Sequence, residues 1–269
     1  MSARLRRRSY RFLANARGFS AVEMTMAASL LPIVLVATYT SFESSRITYT
    51  AGSAKVDIQQ NARVAMESLE GDLRLAGYGF PTDIAVVTPQ LKVTSATPTA
   101  VTFRADLTNA STILSGDANA GDTTLAVTDA SGIRAGDAIY LINGGQWETL
   151  TVSSVPSGTN TLRVPGPGTT RAYPRGTQVG RPKSINYAWS AGTLSKDDGE
   201  GGGLAPVADR VQAFQLRYFD ATDVEIAPAN LATSLGNIRR FQITITAQSA
   251  STGGSQTFSL TSNVRPRNL

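Results

Sequence analysis

The 269-residue chain contains no cysteine and no histidine. Disulfides, thiol nucleophiles, imidazole acid/base chemistry and zinc sites of the usual Cys/His kind are therefore excluded. Carboxylate chemistry and an oxygen-ligated calcium site stay open on composition alone. Aromatic residues make up only 7% of the chain; Trp147, Tyr173, Tyr187 and Trp189 are the only hints of a ligand surface, and aromatics scattered along strands more often fill a core. No Ser/Lys pair, carboxylate pair or phosphate loop stands out. The Gly166-Pro167-Gly168 turn lacks the lysine and following helix of a P-loop.

Acidic residues are missing from the start of the chain. Arg4, Arg6, Arg7, Arg8, Arg11 and Arg17 precede Gly18, and the first carboxylate is Glu23. Removing those six positive charges from the net +5 leaves −1 from Phe19 onward. The pI of about 9.7 thus reports a basic N-terminal tag, and nucleic-acid binding by the body of the protein is not expected.

The arginines lead into Phe19–Phe42, a stretch whose only charge is Glu23. As a helix it would extend about 36 Å, enough to cross a bilayer core of about 30 Å. A cleaved secretory signal places its small-residue site after the apolar run, whereas Ala14-Asn15-Ala16 lies before it. The order therefore points to a retained segment with the arginines on the cytoplasmic side. A plain anchor leaves Glu23 unexplained, because a carboxylate deep in a spanning helix costs roughly 2 to 4 kcal/mol.

Gly18-Phe19-Ser20-Ala21-Val22-Glu23 resembles the processing motif of type IV prepilins and pseudopilins. The resemblance implies cleavage between Gly18 and Phe19 by a prepilin peptidase, N-methylation of Phe19, and retention of the apolar helix. It also implies that Glu23 docks against the Phe19 ammonium of a neighbouring subunit. Low dielectric strengthens such a pair and desolvation opposes it. The family's leucine-rich run is replaced here by Met24-Thr25-Met26-Ala27-Ala28. Pro32 removes a backbone donor and is expected to kink or loosen the helix near Ala28.

Beyond this segment, Ile47, Ala51, Ala54, Ile58, Ala62, Ala65, Leu69, Leu73 and Ala76 recur at helical spacing and predict one apolar face. Lys55, Asp57, Arg63, Glu67, Glu70, Asp72 and Arg74 occupy the rest of the surface. A stripe so rich in alanine suits close approach to a sheet or another helix. Gly77-Tyr78-Gly79-Phe80-Pro81 reads as the stop. The expectation is one helix from about Ser20 to about Ala76, roughly 85 Å long. Residues 61–80 resemble the end of the long helix in large minor pilins of the PilW type and in GspJ-type pseudopilins of type II secretion. The matching residues are Asp72-Leu73-Arg74 and Ala76-Gly77-Tyr78.

After Phe80 the composition turns to Thr, Ser, Gly, Val and Asp. Strand-like alternation is predicted at 100–104, 124–128, 138–142, 148–155 and 161–164, and around Tyr187, Leu216, Ile243 and Phe258-Leu260. Asn143-Gly144-Gly145 reads as a hairpin turn, and a weak helix is expected near 230–235. The block from about 109 to 182 is a candidate inserted β subdomain. Its Asp117, Asp122, Asp129 and Asp137 suit turn chemistry better than a calcium loop, since the D-x-D-x-D-G pattern is missing. Lys196-Asp197-Asp198-Gly199-Glu200 with Gly201 to Gly203 reads as an exposed loop, with a metal or partner site the weaker alternative. "DRVQAFQLRYFD", "IRRFQITITAQS" and the closing "SNVRPRNL" resemble the last strands of PilW-type proteins.

The resulting expectation is an α+β, type IV pilin-like fold. Its segments are a basic leader (1–18), a transmembrane and polymerisation helix (19–42), an amphipathic continuation (43–79) and a β-rich domain (80–269). What the resemblance implies is a non-enzymatic minor pilin, without a cofactor, that helps initiate pilus assembly. Its partners would be other minor pilins, the major pilin, the prepilin peptidase, the inner-membrane assembly platform and, before assembly, the membrane. It would sit in the bacterial inner membrane with its N-terminus cytoplasmic and later in the pilus at the cell surface. A minor pseudopilin of type II secretion and a pilus-associated adhesin that binds through residues 109–182 are the alternatives.

Overall fold

The computed structural model describes residues 19–81, 91–249 and 255–269. The leader and Gly18 lie outside the described residues. By internal packing the chain divides into Met1–Ala51 and Gly52–Leu269. The architecture is α+β, with one long helix at the start and antiparallel sheets after it.

The helix runs through Ala21–Arg74, 54 residues, and stays helical across Pro32. Its two parts differ in what their side chains meet. Within Met1–Ala51 the large apolar residues from Phe19 to Phe42 are all at least 59% exposed. Within Gly52–Leu269 a single face is buried, formed by Ile58, Ala62, Ala65, Met66, Leu69 and Leu73, with Ala76 just past the helix end. Ile47, at the start of the predicted stripe, is 43% exposed, so the buried face begins later than the periodicity suggests.

That face joins two sheets in one core. The first sheet orders the strands Val93–Ala96, Ala100–Ala105, Lys183–Ser190, Thr193–Asp197 and Ala205–Ala208. The second orders Glu225–Ile226, Val211–Phe219, Arg240–Ser249 and Gln256–Val264. Val101, Phe103, Ile185 and Tyr187 of the first sheet, with Leu216, Tyr218, Phe241, Ile243 and Ile245 of the second, fill the space around the helix. Alternation dictates this, since in Arg240–Ser249 every second residue is buried and its neighbours face outward. Alanines at 62 and 65 let the helix backbone come near the sheets, and the bulk comes from the sheet side chains.

Polar contacts fix the helix rotation. The Tyr187 hydroxyl donates to Asp72 Oδ2 at 2.5 Å and lies 2.9 Å from the Ser68 hydroxyl. Lys196 Nζ reaches Asp72 at 2.6 Å. Burial, then the neighbouring Asp72 carboxylate, push the Tyr187 phenol well above its ordinary range, so it stays protonated and acts as a donor. Lys196 and Asp197 thus end a strand, where the sequence suggested an exposed loop. At the helix end Gly77 takes φ +83° and donates its N–H to Arg104 O at 2.7 Å. A Cβ there would meet the Asn268 carbonyl at 2.7 Å, so both the left-handed turn and the close approach call for glycine.

Residues from Leu114 to Val179 form a second apolar cluster, with Leu125, Ile139, Leu141, Leu162 and Tyr173 at its centre. Around it lie a sheet of Thr112–Ile113, Gln178–Gly180, Ala138–Asn143 and Gln146–Thr151, and a small pair, Thr124–Ala126 with Thr161–Arg163. The Asn143 hairpin is present: Asn143 pairs with Gln146 across Gly144, which has φ +57°. The predicted strand 148–155 ends at Thr151, and Val152 then turns into the second cluster. The weak helix near 230–235 is two 3-10 turns, Pro228–Thr233 and Leu235–Asn237. Tyr173 and Tyr187, considered as ligand aromatics, are buried. Trp147 lies half-buried near Tyr140, and Trp189 donates its indole N–H to Val211 O at 2.9 Å.

Leu69 is fully buried between helix and sheets, so Leu69→Ala should lower unfolding free energy by about 2–5 kcal/mol through lost transfer energy and a cavity. Denaturant unfolding of the full chain in detergent, followed by tryptophan fluorescence, measures this; an unchanged midpoint refutes the assigned packing.

Candidate functional site

Two groups of residues invite a functional reading: the exposed start of the helix and a buried cluster of charges.

The helix start has the local chemistry of an N-cap. Val22 N–H donates to Ser20 Oγ at 3.3 Å, and Ser20 N–H donates to Glu23 Oε2 at 3.0 Å. The serine and the acid three residues on therefore satisfy donors that the first turn would leave unpaired. Glu23 also places negative charge at the positive end of the helix dipole. Phe19 is 83% exposed immediately before this cap.

Further along, the hydroxyls of Thr25, Ser29, Thr38 and Thr40 each donate to a carbonyl three or four residues earlier, at 2.7–3.0 Å. Their polarity is thus absorbed within the helix, a condition for placing hydroxyls in hydrocarbon. Glu43, partly exposed, and Arg46, exposed, lie 3.7 Å apart and mark the return of charge. Pro32 lies inside the helix among exposed apolar residues. Of the residues singled out in the sequence, the structure brings Ser20 and Glu23 together locally, while Pro32 lies more than two helical turns away. Gly18 falls outside the described residues.

The second group was not legible as a unit. Arg181 is 2% exposed. Its Nε donates to Asp137 Oδ2 at 2.5 Å, its Nη2 to Glu200 Oε2 at 2.7 Å, and its Nη1 to Thr108 Oγ1 at 3.3 Å. Lys183 Nζ takes the other Asp137 oxygen at 2.6 Å, and Arg134 N–H adds a third donor at 2.8 Å. Burial works against the charged form of Asp137, yet Lys183 and Arg181 outweigh it and hold the carboxyl below its ordinary value. Burial likewise opposes the Arg181 charge, and Glu200 and Asp137 restore and strengthen it. A carboxylate so occupied is a poor proton acceptor near neutrality. The arrangement suits an ionic clamp between the strand starting at Ala138, the strand starting at Lys183 and the Glu200 loop.

Asp137 accepts the Arg134 N–H across its turn, as expected of it, and in addition pairs with Arg181 and Lys183; Glu200 lies in the expected loop but is only partly exposed and bound to Arg181. Asp117, Asp122 and Asp129 do accept backbone N–H groups, from Arg175, Asn119 and Ser131 respectively. Among the described residues no three acidic side chains converge in a geometry that could hold a metal ion. Nothing in the local sequence around Arg181 separates a buried arginine from a surface one, because its partners lie 44 and 19 positions away.

Fold and site define an α+β protein that carries one N-terminal helix long and apolar enough to cross a membrane. Neither protein-family models nor curated proteins give a match to the chain.

The clamp makes acid sensitivity directional. Because the folded-state pKa of Asp137 is depressed, its contribution is fully present above the unfolded carboxylate value of about 3.9 and is lost as pH falls through the folded value. Asp137→Asn should cost about 3–5 kcal/mol at neutral pH by leaving Arg181 and Lys183 without that partner. Melting curves of both proteins should converge as pH drops below about 4; a gap independent of pH overturns the assignment.

Proposed function

We propose that the protein is a minor pilin, a filament subunit that helps start type IV pilus assembly. The observation that carries this reading is the change of surroundings along a single helix. Its first part exposes apolar side chains all round, and its second buries one face under a β-rich body. A subunit held in a membrane and later transferred into a fibre needs this division. The first part must trade lipid for neighbouring helices while the second keeps the body folded.

The prepilin-like residues give the steps. A peptidase cuts after Gly18, Phe19 becomes the methylated N-terminus, and the apolar helix remains in the inner membrane until extraction. In the single chain Glu23 is held by the Ser20 N–H. On assembly the same carboxylate would meet the Phe19 ammonium of an adjacent subunit, in a low-dielectric setting where an opposite charge counts for more than in water. The body would contact other minor pilins. The same geometry serves a pseudopilin of type II secretion, and neighbouring genes separate the two.

Mass spectrometry of the protein from its native host is expected to show a mature chain that begins at methylated Phe19. An intact Met1, or a cut after Ala16, refutes the pathway. Glu23→Ala should sharply reduce incorporation into sheared pili while membrane levels and the fold of the body stay unchanged. Normal incorporation removes the docking role.

A further inference from the structure

Every sheet ends in edge strands whose free N–H and C=O groups can pair with another chain, and proteins usually blunt them. Three of the four edges of the two main sheets are blunted here. Val93–Ala96 has four residues and a register shift between Val93 and Ser95. Ala205–Ala208 is equally short, contains Pro206, and pairs across a shift between Leu194 and Ser195. Glu225–Ile226 has two residues and carries a charge bound to Arg217.

The fourth edge, Gln256–Val264, has none of these devices. It is nine residues long, "QTFSLTSNV", with no charge and no proline. It pairs with its inner neighbour in nine consecutive partners, from Phe241↔Val264 to Ser249↔Gln256, without a shift. On its other side no strand is paired among the described residues. Phe258 and Leu260 pack on the core yet remain only partly buried, so a further strand would complete their cover. Thr257, Ser259, Thr261 and Asn263 face outward, and Thr261 and Ser259 already form hydroxyl pairs with Thr244 and Thr246.

We propose that this edge pairs antiparallel with the same edge of a second copy of the chain, joining two four-stranded sheets into one. The strand is suited to itself. Pairing about a two-fold axis at Leu260 sets Phe258 opposite Ser262 and Ser259 opposite Thr261. The half-buried row then continues across the junction and the hydroxyl row meets hydroxyls. Arg265, the first charge after the strand, falls opposite uncharged Ser255, so no like charges meet. A partner selected by charge would find nothing to read on this strand, whereas a second copy satisfies backbone, face and charge together. The inference concerns the β body and does not depend on the role proposed for the helix.

The absence of native cysteine gives a clean test with the full chain in detergent. Leu260→Cys should be cross-linked to a dimer by a short bis-maleimide, while Ser157→Cys, on an exposed loop of the second cluster, should stay monomeric. Phe258→Lys added to Leu260→Cys should abolish the dimer by setting a cation in the shared row. Hydrogen exchange of the unsubstituted chain provides the second readout: amides in 256–264 should gain protection with rising protein concentration. Equal cross-linking at 157 and 260, no dimer at 260, or exchange independent of concentration overturns the proposal.

Discussion

The close approach of a helix face to two sheets, set by Ala62, Ala65, Leu69 and Leu73, is the constraint on which the rest of the molecule depends. Alanine contributes little apolar area of its own, so most of the stabilisation comes from the side chains it lets in: Phe103, Tyr187, Tyr218 and Phe241. Burial on that scale, at about 25 cal/mol per Å² of apolar surface, opposes the entropy cost of ordering a long chain. The Asp72, Tyr187 and Lys196 contacts add direction to this packing. They hold a carboxylate at the margin of the core where it is both hydrogen-bonded and paired, so the helix cannot rotate without stranding a charge.

The same helix obeys a different rule before Gly52. There the apolar residues are spread all round and exposed, and the hydroxyls of Thr25, Ser29, Thr38 and Thr40 donate to carbonyls of the helix itself. Both halves follow from one principle, that polar groups need partners wherever water is scarce. In the second half strands and loops supply those partners; in the first half the helix supplies its own. The helix remains helical across Pro32. Proline removes one donor, but the surrounding turns retain theirs.

The Arg181 clamp does for the second β cluster what Asp72 does for the helix. Its value lies in where its members sit: Asp137 immediately precedes a strand of one sheet, Lys183 opens a strand of another, and Glu200 comes from a loop. Only Arg181 and Asp137 are fully buried, and removing either takes from the other its shortest ionic partner, which is why such clusters are costly to break even where their net contribution is small.

Much of this architecture was legible in the chain. The helical stripe from Ile58 to Ala76, the glycine stop at Gly77, the hairpin at Asn143 and the alternation in 241–249 are local patterns, set by helical or strand periodicity and by turn stereochemistry within a few residues. The cap that joins Ser20 to Glu23 is equally local, its members three positions apart, but it was not anticipated from the sequence. What sequence could not supply was partnership at a distance. Asp137 is a turn residue and Glu200 a loop residue, as the local sequence indicates, but their shared arginine meets both only after two sheets have formed. Tyr187 read as one aromatic among several until Asp72 came within hydrogen-bond reach. The order of strands, which leaves Gln256–Val264 at an edge, is likewise a tertiary outcome. Where helix and strands form and which faces are apolar can be read along the chain, because those properties depend on near neighbours. Which charges are buried together and which backbone edge stays open emerges on folding, because it depends on which distant segments pack side by side.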